Sequence, residues 1–334
     1  MASSHPEDTV EIAVRAFIPS DAEGISQLIR RNYGDTYHKR FAYDPDAIRQ
    51  MNESGRIASV VAHYYETVIG HFALIPSASS SIAEIGIAAV DPAFKHLGVM
   101  NRMFDLLCSL AGSMRLNALY GEAIMLHPFS QRANLHHGMT ETAVLLGEVP
   151  STIEIEHRYK DAQRSGAMVS YLFFDRDERS LVLPERYRAI IAATYERAKL
   201  PFNETPILPA GGSAAAYRYN GALEIGSLLI DTPLCAEDLE SALDALLSEG
   251  CAMIYADINL QRFGNIDETV ELLNRSGFFY AGVMYSLHRG QDYLRLQRKN
   301  TRNVDEERLH CYSAFGKYLL EFILEDERRI SMSG

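Results

Sequence analysis

Apolar positions along the chain follow strand and helix periods in turn. Val10–Ile18 reads as a strand. Ser20 and Asp21 can cap a helix running to about Asn32, with Ile25, Leu28 and Ile29 on one face. Tyr33–Tyr43 is aromatic and irregular, and a short helix follows Asp44 and Pro45. Ile57–Tyr65 and Val68–Ile75 form a predicted hairpin joined at Glu66 and Thr67, and Ser77–Ser81 is a polar turn. Ile82–Val90 is an apolar run that predicts a buried strand. A loop over Asp91–Gly98 leads into a helix over Met100–Ser113, with Met103, Leu106, Leu107 and Leu110 at helical spacing. Ala118–Leu126 is the next strand, and Ser130–His137 a short helix ending at Gly138, which suits a left-handed cap. Thr142–Leu146 begins a further strand. This order predicts a mixed α/β layer fold around one sheet.

The second half repeats the order. Strands are expected at Ala214–Tyr219, Leu223–Ile230, Ala252–Leu260 and Phe278–Leu287, the last long one. Helices are expected at Ala236–Ser248 and Asp267–Ser276, and a terminal amphipathic helix from about Cys311 to Arg328. Short matches link the halves. Glu84-Ile85-Gly86 parallels Glu224-Ile225-Gly226, Tyr120-Gly121-Glu122 parallels Tyr255-Ala256-Asp257, and Gly138 parallels Gly277. Glu84 to Gly138 spans 54 positions and Glu224 to Gly277 spans 53. The loops that follow differ. After Asp91 the chain carries Lys95, His96 and Gly98, whereas after Asp231 it is acidic and lacks glycine. Only the first loop suits a phosphate, because backbone N–H groups at a helix start, a positive dipole end and small residues together hold anions.

Length and charge narrow the setting. With 334 residues, two domains are expected. A formal net charge of -12 disfavours non-specific binding to nucleic acid or to an anionic membrane. The four cysteines lie far apart with no CxxC pair, which fits a reducing cytoplasm better than a disulfide framework. No signal peptide and no bilayer-crossing run is read. No set of His, Cys, Asp and Glu shows metal spacing, so no metal site is expected.

The segment Ala83–Pro92 followed by Lys95-His96-Leu97-Gly98-Val99-Met100 resembles motif A of the GNAT acetyltransferases. That motif is a strand, then Arg or Gln, two residues, Gly, one residue, Gly or Ala, then a helix. Lys95 stands at the Arg/Gln position and Gly98 at the first Gly. Met100 stands where Gly or Ala is usual, and Asn134 where a motif B tyrosine often stands. The resemblance covers roughly residues 10–150, and Ser276-Gly277-Phe278 in the second half is similar to the end of motif B. It implies an α/β (α+β) fold of tandem GNAT-like domains. Each would be a mixed, mostly antiparallel sheet flanked by helices, with a C-terminal helix added. The expected boundaries are 1–158 for the acyl-CoA-binding domain, 159–302 for a degenerate copy and 303–334 for the helix.

The resemblance further implies direct acetyl transfer from acetyl-CoA to an amine of a small molecule or a protein. The cofactor would lie in a splay between Ile82–Val90 and Ala118–Leu126. Backbone N–H groups near Ala88 and Val90 would polarise the thioester carbonyl. Lys95, His96, Leu97, Gly98, Val99, Met100 and Asn101 would hold the pyrophosphate. Glu84 is the candidate general base, against a purely structural role suggested by Glu224 in the second copy. His127 is the candidate group near the departing sulfur, against a capping role, and Ser130 and Asn134 would face the cofactor. Tyr33, Tyr37 and His71 would line the acceptor side, against ordinary packing. The competing reading is a non-catalytic acyl-CoA-binding regulatory module whose degenerate half supports a homodimer. A Rossmann nucleotide-binding protein fits less well, because no GxGxxG follows the first strand and a hairpin breaks the order.

Overall fold

A computed structural model describes residues 11–153, 163–204, 216–262 and 266–333. The expected strand starts at Val10 and Ala214 lie outside those residues. The chain divides into two compact units. Unit 1 takes in the described residues up to Pro76 together with Ile85–Arg115. Unit 2 takes in Ser77–Glu84, Leu116–Ile153 and the described residues from 163 onward.

In unit 1, strand β1 (Ile12–Ala16) is followed by helices α1 (Ala22–Tyr33) and α2 (Pro45–Glu53) and by strands β2 (Ala58–Tyr64) and β3 (Thr67–Pro76). β4 (Ile82–Val90) begins in unit 2 and ends in unit 1, and α3 (Val99–Ser113) follows it. β1 and β3 flank β2, all antiparallel. Asp44 caps α2 by accepting from the Asp46 N–H at 2.9 Å, as its sequence predicts. Ile25, Leu28 and Ile29 are buried on one face of α1. The apolar face of α3 differs from the expected one. Val99, Met103, Phe104, Leu107 and Ala111 are buried, whereas Leu106 and Leu110 are only half-buried.

Unit 2 continues with β5 (Ala118–Ile124), α4 (Phe129–His136), β6 (Thr140–Val149), β7 (Ser165–Phe173), β8 (Arg179–Leu181), α5 (Arg188–Ala198), β9 (Phe202–Glu204) and β10 (Ala216–Asn220). Then come β11 (Ile225–Ile230), α6 (Ala236–Ser248), β12 (Met253–Asn259), α7 (Ile266–Arg275), β13 (Phe279–His288), β14 (Gln291–Lys299) and α8 (Ala314–Ser333). The strand order is β4-β5-β7-β6-β13-β14-β12-β11-β10. Around the β6–β13 pair this order is palindromic in kind. A parallel pair, β4 with β5 or β11 with β12, lies outside an antiparallel one on either side. The architecture is thus mixed α/β with a mostly antiparallel sheet, flanking helices and a C-terminal helix.

The expected element list lacked β7, β8, α5, β9 and β14. β14 carries polar residues on both faces, and two of them are fully buried. Asp292 accepts from the Tyr195 hydroxyl at 2.7 Å and the Ser286 N–H at 2.8 Å. Gln297 accepts from the Leu146 N–H at 2.9 Å and donates to the carbonyls of Val144 and Tyr280, each at 3.1 Å. One side-chain amide therefore serves backbone groups of β6 and β13 where the two strands meet. There the strands approach so closely that a Cβ on Gly282 would lie 2.3 Å from the Ala143 Cα.

Replacing Gln297 by Met keeps the volume and leaves three buried backbone groups without their partner. Such a change costs on the order of 3 kcal/mol. Urea unfolding of Gln297→Met should show that loss. Gly112→Ala, in a helix with open space at the Cβ position, should gain about 0.5 to 1 kcal/mol by the same measurement.

Candidate active site

Where β4 ends, the backbone is anchored from several sides within unit 1. The Asp91 N–H donates to the Ile69 carbonyl at 2.8 Å, and the Asp91 carboxylate accepts from the Ala93 N–H at 3.1 Å. The Arg31 guanidinium pairs with the same carboxylate at 3.1 Å and reaches the Val68 carbonyl at 3.2 Å. The loop then turns through two left-handed residues, His96 at φ 70° and Gly98 at φ 73°. Gly98 is the N-cap of α3 and, having no side chain, does not itself cap the first N–H groups of the helix. Nothing lies within 4 Å of where its Cβ would stand. His96, Leu97, Gly98 and Asn101 are exposed, while Lys95 and Met100 are half-buried and Val99 is buried. A Cβ at Gly70 would come within 3.0 Å of Val99 and 3.1 Å of Met103, so the helix start is seated on a glycine of β3. The result is a rigidly anchored, cationic and accessible helix N-terminus, which is chemistry suited to a phosphate or pyrophosphate.

Upstream, β4 is strained. Ile87 has φ 53°, a conformation costly for a β-branched residue. Two side chains hold it. His71 Nδ1 donates to the Ile87 carbonyl at 2.8 Å, and the Tyr33 hydroxyl donates to the Ala88 carbonyl at 2.9 Å. His71 Nε2 then accepts from the Ser59 hydroxyl at 3.0 Å, which assigns the tautomer by its partners. His71 is 1% exposed, and desolvation lowers its pKa to about 4. This corrects the expectation that His71 lines the acceptor side, since both ring nitrogens are spent inside the core. Tyr37 is also buried and stacks on Tyr33 at 4.7 Å. Tyr33 and His71 brace the strand that carries Ala88 and Val90.

In unit 2, Glu84 is half-buried on β4 and stands opposite Tyr120 in the parallel ladder. Three pairs form that ladder, Ile82–Ala118, Ala83–Leu119 and Glu84–Tyr120. Tyr120 stands in turn opposite Tyr171, with their rings stacked at 5.5 Å. Burial first, then the carboxylates of Glu84 and Glu122, push the Tyr120 hydroxyl well above the usual phenol range. His127 follows β5, is nearly buried at 9% exposure, and lies against the Phe129 ring at 4.9 Å. On α4, Ser130 is exposed. Asn134, expected to face a cofactor, is buried at 8% exposure.

The strand register also corrects the comparison of the two halves. Tyr120 faces Glu84, but Tyr255 faces Ser227, not Glu224. Glu224 precedes β11, and its carboxylate takes the Arg164 guanidinium at 2.8 Å. Residue identity alone aligned the wrong pair. The carboxylate of Glu84 has no counterpart at the matching position of β11, and the structural role inferred from Glu224 no longer bears on it.

Among the described residues no group of His, Cys, Asp and Glu is arranged to hold a metal ion. The four cysteines are free. No helix among those residues is long and apolar enough to cross a membrane.

A neutral buried histidine makes stability depend on pH. The unfolded state binds a proton near pH 6.5 and the folded state near 4. Stability from this group is therefore complete above 6.5 and falls as pH drops towards 4, by on the order of 3 kcal/mol. Unfolding free energies between pH 7 and 4 should show that slope in the natural chain, and His71→Gln should lose about 3 kcal/mol of it while the share of His38, whose pKa burial also lowers to about 4, remains.

No family model matches the chain, and no curated protein matches it. Solved structures do. One from Desulfovibrio desulfuricans, described as of the GNAT family, is 16% identical, with a TM-score of 0.40 over 49% of this chain and 99% of its own. The ribosomal-protein-S18-alanine N-acetyltransferase from Escherichia coli is 12% identical, with a TM-score of 0.40 over 52% of this chain and 100% of its own. Arabidopsis thaliana NAA60 in complex with a bisubstrate analogue is 15% identical, with a TM-score of 0.39 over 49% of this chain and 98% of its own. Nearly the whole of each neighbour is thus matched by about half of this chain.

Proposed function

We propose that this chain is an N-acyltransferase that moves an acetyl group from acetyl-CoA to an amine of a small molecule or a protein. The observation that carries the reading is the exposed helix start at Gly98, a left-handed N-cap with no side chain of its own, preceded by Lys95 and His96. The donor set fits the cofactor, because a pyrophosphate needs several N–H donors and positive charge at one place. Lys95, His96, Gly98 and the N–H groups of Val99, Met100 and Asn101 would hold it, with Leu97 beside them. Acetyl-CoA supplies an acyl group activated as a thioester.

The protein's own groups divide the remaining work. Glu84 accepts the proton that the attacking amine sheds, directly or through water. N–H groups near Ala88 and Val90 stabilise negative charge developing on the carbonyl oxygen, and the brace of Tyr33 and His71 keeps that stretch from relaxing. His127 and Ser130 are the candidates for handling the leaving thiolate. Within this reading the domains are 1–158, 159–302 and 303–334, the second being a degenerate copy without the cationic loop, and the setting is the cytoplasm.

Lys95→Ala should weaken acetyl-CoA binding about threefold to tenfold by calorimetry. Glu84→Gln should leave that affinity unchanged and lower kcat about a hundredfold or more with an accepted amine. A non-catalytic acyl-CoA-binding module is the reading that survives if no amine in a broad library is acetylated while Glu84→Gln binds acetyl-CoA normally.

A further inference from the structure

Unit 1 carries an aromatic cluster beside the cationic loop. The β2–β3 hairpin closes on the pair Tyr64–Thr67, so Tyr65 and Glu66 form its two-residue turn. The Asp91 N–H bond to the Ile69 carbonyl, at 2.8 Å, ties the end of β4 to the start of β3. The short 3-10 turn Pro92–Phe94 follows Asp91, and Phe94 is followed directly by Lys95. The Tyr64 ring joins the two turns. Its centroid lies 5.2 Å from that of Phe94 and 4.6 Å from that of Tyr65, the second contact being edge-on at 65°.

Tyr65 is a costly residue for its place. Its φ is 49°, a left-handed value that two-residue hairpin turns usually give to Gly, Asn or Asp. Its side chain is 77% exposed, and among the described residues no aromatic ring is more so. The fold gains little from a ring that buries little area and strains its own backbone. Tyr64 and Phe94 are half-buried, so the cluster is rooted at those two rings and open at Tyr65.

The chemistry on the two sides of Phe94 differs. Towards α3 stand Lys95, His96 and the helix start, which suit a phosphate. Towards the hairpin stand the π faces and the exposed Glu66, which repel a phosphate and suit a flat, uncharged ring. A molecule with a pyrophosphate and a neutral aromatic base, joined by a sugar, matches that succession.

We propose that Tyr64, Tyr65 and Phe94 form the stacking platform for the adenine base of an acyl-CoA whose pyrophosphate sits at Lys95–Gly98. The inference rests on the acetyl-CoA reading of that loop and gives the base a place that the loop alone leaves open. Tyr65 supplies the exposed ring on which the base lies, and Tyr64 and Phe94 hold that ring. Stacking requires only a π face, so a phenyl group serves there as well as a phenol.

The test titrates the full chain calorimetrically with acetyl-CoA and with S-acetyl-4′-phosphopantetheine, which keeps the thioester and its arm but lacks the adenosine. Tyr65→Ala should weaken acetyl-CoA binding about tenfold and leave the shorter donor's affinity unchanged. Tyr65→Phe should bind acetyl-CoA as the natural chain does. The Tyr65 ring is exposed, so its removal leaves the core packing intact. A Tyr65→Ala variant that binds acetyl-CoA like the natural chain overturns the proposal. An equal loss for both donors overturns it too, since the ring would then touch the arm and not the base. A loss in Tyr65→Phe as large as in Tyr65→Ala replaces stacking by a hydroxyl contact and overturns the platform. In each of these cases the acetyl-CoA reading stands. If the natural chain binds neither donor, that reading falls and the platform with it.

Discussion

Two strands in unit 2 approach so closely that only a hydrogen atom fits between them. At the β6–β13 pair, a Cβ on Gly282 would stand 2.3 Å from the Ala143 Cα and from the Thr142 carbonyl oxygen. Both strands carry irregularities next to that point. Irregular strands leave backbone groups outside the ladder, and buried backbone groups need partners. The Gln297 amide supplies them from a third strand. The palindromic order of the strands depends on this seam, because no other pairing joins β6 to β13. One steric constraint thus fixes the topology of the seam.

Unit 1 depends on a different device. Its β4 stretch is held in a conformation that Ile87 would not adopt alone, and the cost of order 1 to 3 kcal/mol is met by the surrounding bonds. His71 performs this role because imidazole is both donor and acceptor when neutral, so it can join a carbonyl to a hydroxyl in a dry core. A lysine could not accept, and an aliphatic residue could do neither. The downstream loop is anchored by charge, through Arg31 and Asp91, where solvent is closer. Strain, core hydrogen bonds and a surface ion pair therefore succeed one another along the path from β4 to α3.

Where apolar period and secondary structure coincide, the sequence was legible. β4 and α6 fall at their expected limits of Ile82–Val90 and Ala236–Ser248. β14 was not legible, because its burial is achieved through Asp292 and Gln297, whose partners are distant in sequence. α5 buries Thr194 and Tyr195 beside Ile190 and Ile191, so its core face lacks a clean apolar stripe. The phosphate-type loop was visible because its chemistry is local, a strand, a basic residue, a glycine and a helix. The placement of His71 was not, since it depends on enclosure, and neither was the cross-strand partner of Glu84, which depends on register. Glu224 looked like the twin of Glu84 by its neighbours in sequence, and only the pairing of Tyr255 with Ser227 separated them.

That separation changes how the two halves compare. If residues at matching positions are followed across the sheet, the carboxylates Glu122 and Asp257 and the small residues Ala143 and Gly282 correspond, and the position between them does not. Asp257 gains Arg295, and the matching place beside Glu122 holds Val169. Glu84 is matched by Ser227. Neutralising the buried Asp257 carboxylate by a fixed arginine removes its capacity to attract a cation, because the guanidinium already occupies both oxygens. Val169 at the matching place carries no charge, so the cross-strand ion pair that ties β12 to β14 is not repeated at that position of the β5–β7 ladder.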